Sequence, residues 1–185
     1  MLEFLQQRAS IPARFLAEPA PDPSQLREIL QAAVAAPDHA ALRPWRFIVI
    51  EGESRNKLGD VFVEATRRRE PDMPADKLES QRSKPLRSPM IVTVVADITP
   101  DHPKTPETEQ ILSAGAAAQQ LILAANALGF GAIWLTGPNA HAPEVKEALG
   151  IAEKDHIVGF VYLGTATIDK PQVRRPDPAD FVSHW

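Results

Sequence analysis

Apolar residues recur at helical spacing at Leu26, Ile29, Leu30 and Ala33, directly after Asp22-Pro23. This predicts an amphipathic helix with an N-cap aspartate, a first-turn proline and Gln25 placed to complete a capping box, ending at Pro37. The alternating run from Arg46 to Ile50 predicts a strand. A helix follows, with Ser54 as its cap and Leu58, Val61, Phe62 and Ala65 on one face. "MIVTVVADI", from Met90, is apolar almost throughout and predicts a second, largely buried strand. Thr105 and Pro106 then open a long helix whose centre, Ala114 to Ala118, is small on every side, which suits a central buried helix with other backbones pressed close. Gly129 is placed to end it in the left-handed conformation. Phe130 to Leu135 form a strand, "HAPEVKEALGI" a short helix and "IVGFVYLGT" a final strand. The class is α+β with about four strands. "REPDMPADKLESQRSKPLRSP", from Arg69, and the tail from Asp169 read as mobile surface.

Composition narrows the functional field. A chain of 185 residues, 44% hydrophobic and 24% charged, is the size and mixture of one soluble domain spanning residues 1–185. Its formal net charge of -4 gives no general attraction to nucleic acid or anionic lipid. There is no cysteine, which removes disulfides, thiolate metal sites and cysteine nucleophiles together. The apolar runs are shorter than the roughly 20 residues of a membrane span, and "MLEFLQQRAS" has neither the basic start nor the apolar stretch of a signal peptide. The expected location is cytoplasmic.

The catalytic motifs of dinucleotide-binding, phosphate-loop, serine-hydrolase and zinc-protease proteins are missing, and the five histidines are scattered. A bound cofactor is then the natural carrier of reactivity. Four segments, taken in order, resemble a small flavin-dependent nitroreductase: "QQRASIPARFLAEPAP", "AAPDHAALRPWRFIVIEG", "SAGAAAQQLILAANALGFGAIWLTG" and "VGFVYLGTATIDKPQVRRPDP". The resemblance spans almost the whole chain. It implies a mainly antiparallel sheet flanked by helices around a buried central helix, in a homodimer that holds FMN at the subunit interface. It also implies ping-pong transfer of hydride from NADH or NADPH to nitroaromatics, quinones or similar acceptors. A flavin-binding carrier or sensor with little turnover, and a cofactor-free interaction domain, are the rival classes.

The resemblance gives the site residues their roles. Arg8, Ala9 and Ser10 take the phosphate, the guanidinium through bidentate charge-assisted bonds and the hydroxyl as a further donor; otherwise they are a solvated arginine and a turn serine. The family's second basic residue falls at Pro12, with Arg14 as its replacement across a short insertion. In the loop where the family carries polar flavin contacts, this chain has Asp38, Ala41 and Arg43, so the usual asparagine and glutamine are missing. His39 is similar to the histidine with which the shortest members reach the partner's FMN; its plain alternative is a turn residue. Arg43 is expected near the pyrimidine edge, or in a surface salt bridge. Trp45 is assigned to packing. Trp134, Leu135, Thr136 and Gly137 form the second wall, with Thr136 as its polar group and Trp134 also readable as core. Arg174 and Arg175 are a second basic pair at the phosphate, or a charged tail. Ala124 to Gly129, cited for nicotinamide contact in relatives, reads here as a packed helix end.

Overall fold

The structure is a computed structural model describing residues 1–185. It contains helices α1 (Leu2–Gln6), α2 (Pro23–Ala33), α3 (Ser54–Arg69), α4 (Ala75–Arg82), α5 (Glu107–Ala127) and α6 (Pro143–Ala148), and strands β1 (Leu16–Ala17), β2 (Arg46–Glu51), β3 (Met90–Ala96), β4 (Gly131–Leu135) and β5 (His156–Ala166). Every strand pairing is antiparallel. β3 lies between β2 and β5, and all seven of its residues are buried, as its unbroken apolar run predicts. β4 pairs with β5 on the edge away from β3, and β1 pairs with the last two residues of β5.

The sheet separates two apolar layers. On one side α3 and α6 pack Leu58, Phe62 and Val145 against Ile91, Phe160 and Tyr162. On the other, α2 and α5 pack Ile29, Ala33, Ala118, Leu121 and Ala125 against Val92, Val94, Ala132 and Val161. The small residues of α5 allow this close seat, with Ala114, Ala117 and Ala118 fully enclosed. Its opposite face is open in the single protomer, where Leu112 is 66% exposed. The helix is therefore buried along one side within the chain.

Several local expectations hold in detail. The Asp22 side chain accepts from Ser24 and Gln25 N–H while Gln25 accepts from Asp22 N–H, closing the capping box. Gly129 has φ 87° just after α5. Others require correction. α2 ends at Ala33, before Pro37. Ser54 is not the cap of α3; Glu53 precedes the helix, and the Ser54 hydroxyl turns back to the Glu51 carbonyl at 2.5 Å. The sheet has five strands, because β1 exists through pairing with β5 and not through any periodicity of its own. The stretch from Arg69 to Pro89 is ordered into α4 and a following turn, anchored by buried Leu78 and Pro85.

Candidate functional site

The outer edge of β4 organises the site. The N-terminal segment runs along its start, where Ile11 N–H donates to the Ala132 carbonyl at 3.0 Å. Immediately before that bond, Arg8 Nη1 lies 3.3 Å from Ser10 Oγ, and Arg175 donates a guanidinium hydrogen bond to the Arg8 carbonyl. Ala9 between them is buried, which turns Arg8 and Ser10 outward from a fixed backbone. Lys170 lines a depression with Ala9 and another with Arg175, adding a third basic group. The structure thus brings Arg8, Ser10 and Arg175 together. Arg174 is exposed and makes no hydrogen bond or ion pair. Arg14 does not join them, since its guanidinium stacks on the Phe15 ring at 4.7 Å.

About four residues further along β4, roughly 13 Å at strand rise, the chain leaves the sheet through exposed Thr136 and half-buried Gly137, whose φ of 104° suits only a residue without Cβ. Here a cavity of about 400 Å³ opens between the strand end and the α3–α4 region. Leu135, Thr136, Gly137 and Asn139 form one wall, and Arg69, Lys84 and Arg87 face it. Burial holds the Lys84 amine below its usual value, with repulsion from Arg87 and Arg69 adding to the effect. Burial pushes the Tyr162 hydroxyl at the cavity floor up to about 12, although Arg87 opposes the shift, so it stays a neutral phenol. Asn139 is buried, and one atom of its amide end has no hydrogen-bond partner. Lys84, Arg87, Arg69 and Lys170 escaped sequence reasoning, since only the packing of α4 and the tail brings them to β4.

The other sequence candidates lie elsewhere. Trp134 donates its indole N–H to the Val158 carbonyl at 3.1 Å, where the β3–β5 register slips by one residue. Gly159 makes room for that indole, because a Cβ there would stand 2.0 Å from Trp134 Nε1. Trp134 therefore holds β4 on β5, and its side chain offers no free polar group. Trp45 packs with Ala96, Ile98 and Ala114, as expected. His39 and Arg43 do not line the cavity at the strand end. His39 Nδ1 is 2.7 Å from Glu109 Oε2 at the start of α5, and the Arg43 guanidinium is exposed without a partner. The Ala124–Gly129 segment is only half packed: Ala125 is buried, whereas Ala127, Leu128 and Gly129 are exposed, and Asn126 closes the helix end on the Phe130 carbonyl at 2.9 Å.

A basic cradle at one end of β4 and, at the other, a cavity whose three cations outnumber its one carboxylate, Glu70, suit an elongated anionic ligand. The chain matches the profile of the Nitroreductase family over residues 5–165, and it belongs to that family. It is 43% identical over 185 residues to the Escherichia coli (strain K12) protein named "Putative NAD(P)H nitroreductase YdjA", covering 100% of this chain and 98% of that one. A Haemophilus influenzae protein named "Putative NAD(P)H nitroreductase" is 40% identical over 171 residues, or 91% of each chain. Among solved structures, a nitroreductase-like family protein from Bacillus cereus superposes with a TM-score of 0.84 at 23% identity, covering 100% of this chain and 95% of that one. A Desulfovibrio desulfuricans protein described as "a putative nitroreductase in complex with fmn" gives 0.74 at 25% identity, with 100% and 95% covered.

Proposed function

We propose that this chain is an FMN-dependent NAD(P)H oxidoreductase of the nitroreductase type, active as a homodimer with FMN at the subunit interface. The observation that carries this reading is the polarity of the β4 edge, with the Arg8, Ser10, Lys170 and Arg175 cluster at one end and the Thr136–Gly137 cavity at the other. The donor set fits the group. Guanidinium, ammonium and hydroxyl donors suit a phosphate dianion. The acceptor-rich pyrimidine edge of a flavin suits Lys84 and Arg87, and its single N–H suits the unpartnered amide of Asn139. When bound, FMN would supply the hydride chemistry of a ping-pong cycle between NADH or NADPH and a nitroaromatic, quinone or similar acceptor.

The chain's own residues bind, orient and tune. Arg8, Ser10 and Arg175 fix the phosphate end. The Thr136 hydroxyl and the backbone N–H groups of Thr136 and Gly137 orient the ring, and Lys84 and Arg87 place positive charge at its pyrimidine side. Arg43, whose guanidinium has no partner in its own chain, and His39 belong on this reading to the face turned toward the second subunit. No side chain is required as a general acid or base.

The test is spectroscopic. Purified protein is expected to be yellow, to release FMN on denaturation and to bleach with NADH or NADPH under anaerobic conditions. Reoxidation by a nitroaromatic or quinone then completes the cycle. A yellow protein that no reduced nicotinamide bleaches would be a carrier or sensor, and a colourless one that FMN does not stabilise would end the flavin reading.

A further inference from the structure

The loop from Pro37 to Arg43 adopts a conformation that its own sequence disfavours. Ala40, Ala41 and Arg43 have φ of 63°, 54° and 52°, in the left-handed region where a Cβ is unwelcome. Such a segment persists when its surroundings over-determine it, and three contacts do so. Asp38 Oδ2 accepts from Arg43 N–H at 2.8 Å within the loop. Ser113 Oγ donates to the Pro37 carbonyl at 2.8 Å, and Glu109 Oε2 meets His39 Nδ1 at 2.7 Å. Glu109 and Ser113 are one turn apart on the same face of α5. The first turns of the central helix therefore clip the loop at two points.

The Glu109–His39 contact also determines what the ring can do. A carboxylate only accepts, so Nδ1 must carry the hydrogen. In the neutral ring Nε2 is then a lone-pair acceptor. Half of the His39 side chain remains exposed, at 53%, and no group of its own chain bonds Nε2. An exposed pair of this kind contributes little to stability. It does restrict the orientation and tautomer of the ring, on a loop whose other contacts already fix the backbone.

We infer that Glu109 is a positioning residue, which sets the ring plane and tautomer of His39 so that Nε2 faces out of the protomer as an acceptor for a hydroxyl of the mononucleotide held by the second subunit. This rests on the reading of His39 as a cofactor contact across the dimer. The chemistry selects the part of the ligand. A neutral Nε2 cannot bond a phosphate oxygen, because both are acceptors, whereas a ribityl hydroxyl donates to it. Riboflavin carries the same hydroxyls, so His39 and Glu109 should matter equally for FMN and riboflavin.

The experiment uses the flavin-loaded full chain with 15N-labelled histidine, at alkaline pH where the rings are neutral. Long-range proton–nitrogen spectra, with His39→Ala supplying the assignment, are expected to show His39 protonated at Nδ1. Glu109→Ala should release the ring to the Nε2–H form. Glu109→Gln, whose amide oxygen still accepts the bond, should keep Nδ1–H. Titration with FMN and with riboflavin is expected to show about a five-fold weaker affinity for Glu109→Ala, matching His39→Ala, as the loss of one hydrogen bond predicts. The double variant should be no weaker than either single one, and Glu109→Gln should rescue. Additive losses, or a changed tautomer with unchanged flavin affinity while His39→Ala still weakens binding, would overturn the positioning role. Unchanged affinity in His39→Ala would instead remove the cross-dimer reading, with the spectrum still recording the Glu109–His39 bond.

Discussion

Lys84 stands half-buried in the cavity beside Arg69 and Arg87, where burial first and like-charge repulsion second hold its amine below the usual value. A positive charge at the edge of a flavin favours the more negative of its two redox forms, so Lys84→Ala is expected to lower the bound flavin's midpoint potential. One charge in a partly solvated site corresponds to about 1–2 kcal/mol, or about 20–50 mV for a two-electron couple. The sign of the pH effect follows from the lowered amine: its charge is present below the folded-state pKa and absent above it. The gap between wild type and Lys84→Ala should therefore close as pH climbs through the alkaline range. Redox titration at two pH values checks both points, and a gap that does not change with pH would count against Lys84 as its source. At the other end of β4, Arg8→Ala should weaken FMN by about 1.5–3 kcal/mol, the range for a hydrogen bond to a charged group, and leave riboflavin nearly unaffected. Equal losses for both flavins, measured by fluorescence, would assign Arg8 to the fold.

At the scale of the elements, β4 is positioned by a tryptophan on a glycine. Gly159→Ala would place a methyl 2.0 Å from Trp134 Nε1 and 3.0 Å from the Leu135 carbonyl, so β4 must shift. Overpacking of this kind typically costs about 1–3 kcal/mol. Thermal melting should show the loss, and Trp134→Leu in the same chain should recover part of it. Asp155 anchors the start of β5, accepting from Ile98 N–H at 2.9 Å and Lys154 Nζ at 2.7 Å. Burial raises its pKa, and these bonds outweigh burial to give a net lowering. Its contribution is therefore present above the ordinary carboxylate value and is lost as pH falls through the lowered folded value. Asp155→Ala, which orphans the Ile98 N–H, should cost about 1–3 kcal/mol at pH 7, and its denaturation curves should begin to approach those of wild type as pH falls below about 4, meeting only below the lowered folded value. These elements also explain what the sequence could convey. α2, β3 and α5 carry their periodicity, caps or small residues in the chain itself, whereas Arg8, Ser10, Thr136 and Gly137 stand out as site residues only through the family resemblance. β1 is two residues defined by a distant partner, Leu16 opposite Ala166 and Ala17 opposite Thr165. α4 is polar with one buried leucine, and it is held where the Gly59 backbone meets the Arg82 carbonyl. Lys84 and Arg87 enter the site only through that tertiary seat, which no local pattern encodes.

For the whole molecule, the decisive surface is the one the single chain leaves uncovered. Leu112 on α5 is 66% exposed and Val34 at the end of α2 is 48% exposed, beside a shallow groove lined by Leu26 and Leu30. The α5 face carrying Gly115 and Ala116 has no cover from its own protomer comparable to that over Ala114, Ala117 and Ala118. Small residues along a helix permit close backbone approach, and a twofold interface would bring the same face of a second chain against this one. A homodimer built here would also bring His39 and Arg43 of each chain, clipped to the start of α5, to the other chain's site. Assembly and cofactor retention would then be linked by mass action. Sedimentation of the wild type is expected to give a dimer at micromolar concentration, and Leu112→Glu, which would put a charge into that face, should shift it toward monomer. Flavin release should follow the same shift. On serial dilution, His39→Ala should lose FMN at higher protein concentration than wild type, whereas Arg8→Ala should lose it even where the dimer is intact. A stable monomeric wild type that retains FMN would show that one chain holds the cofactor alone, and would return His39 and Arg43 to the surface.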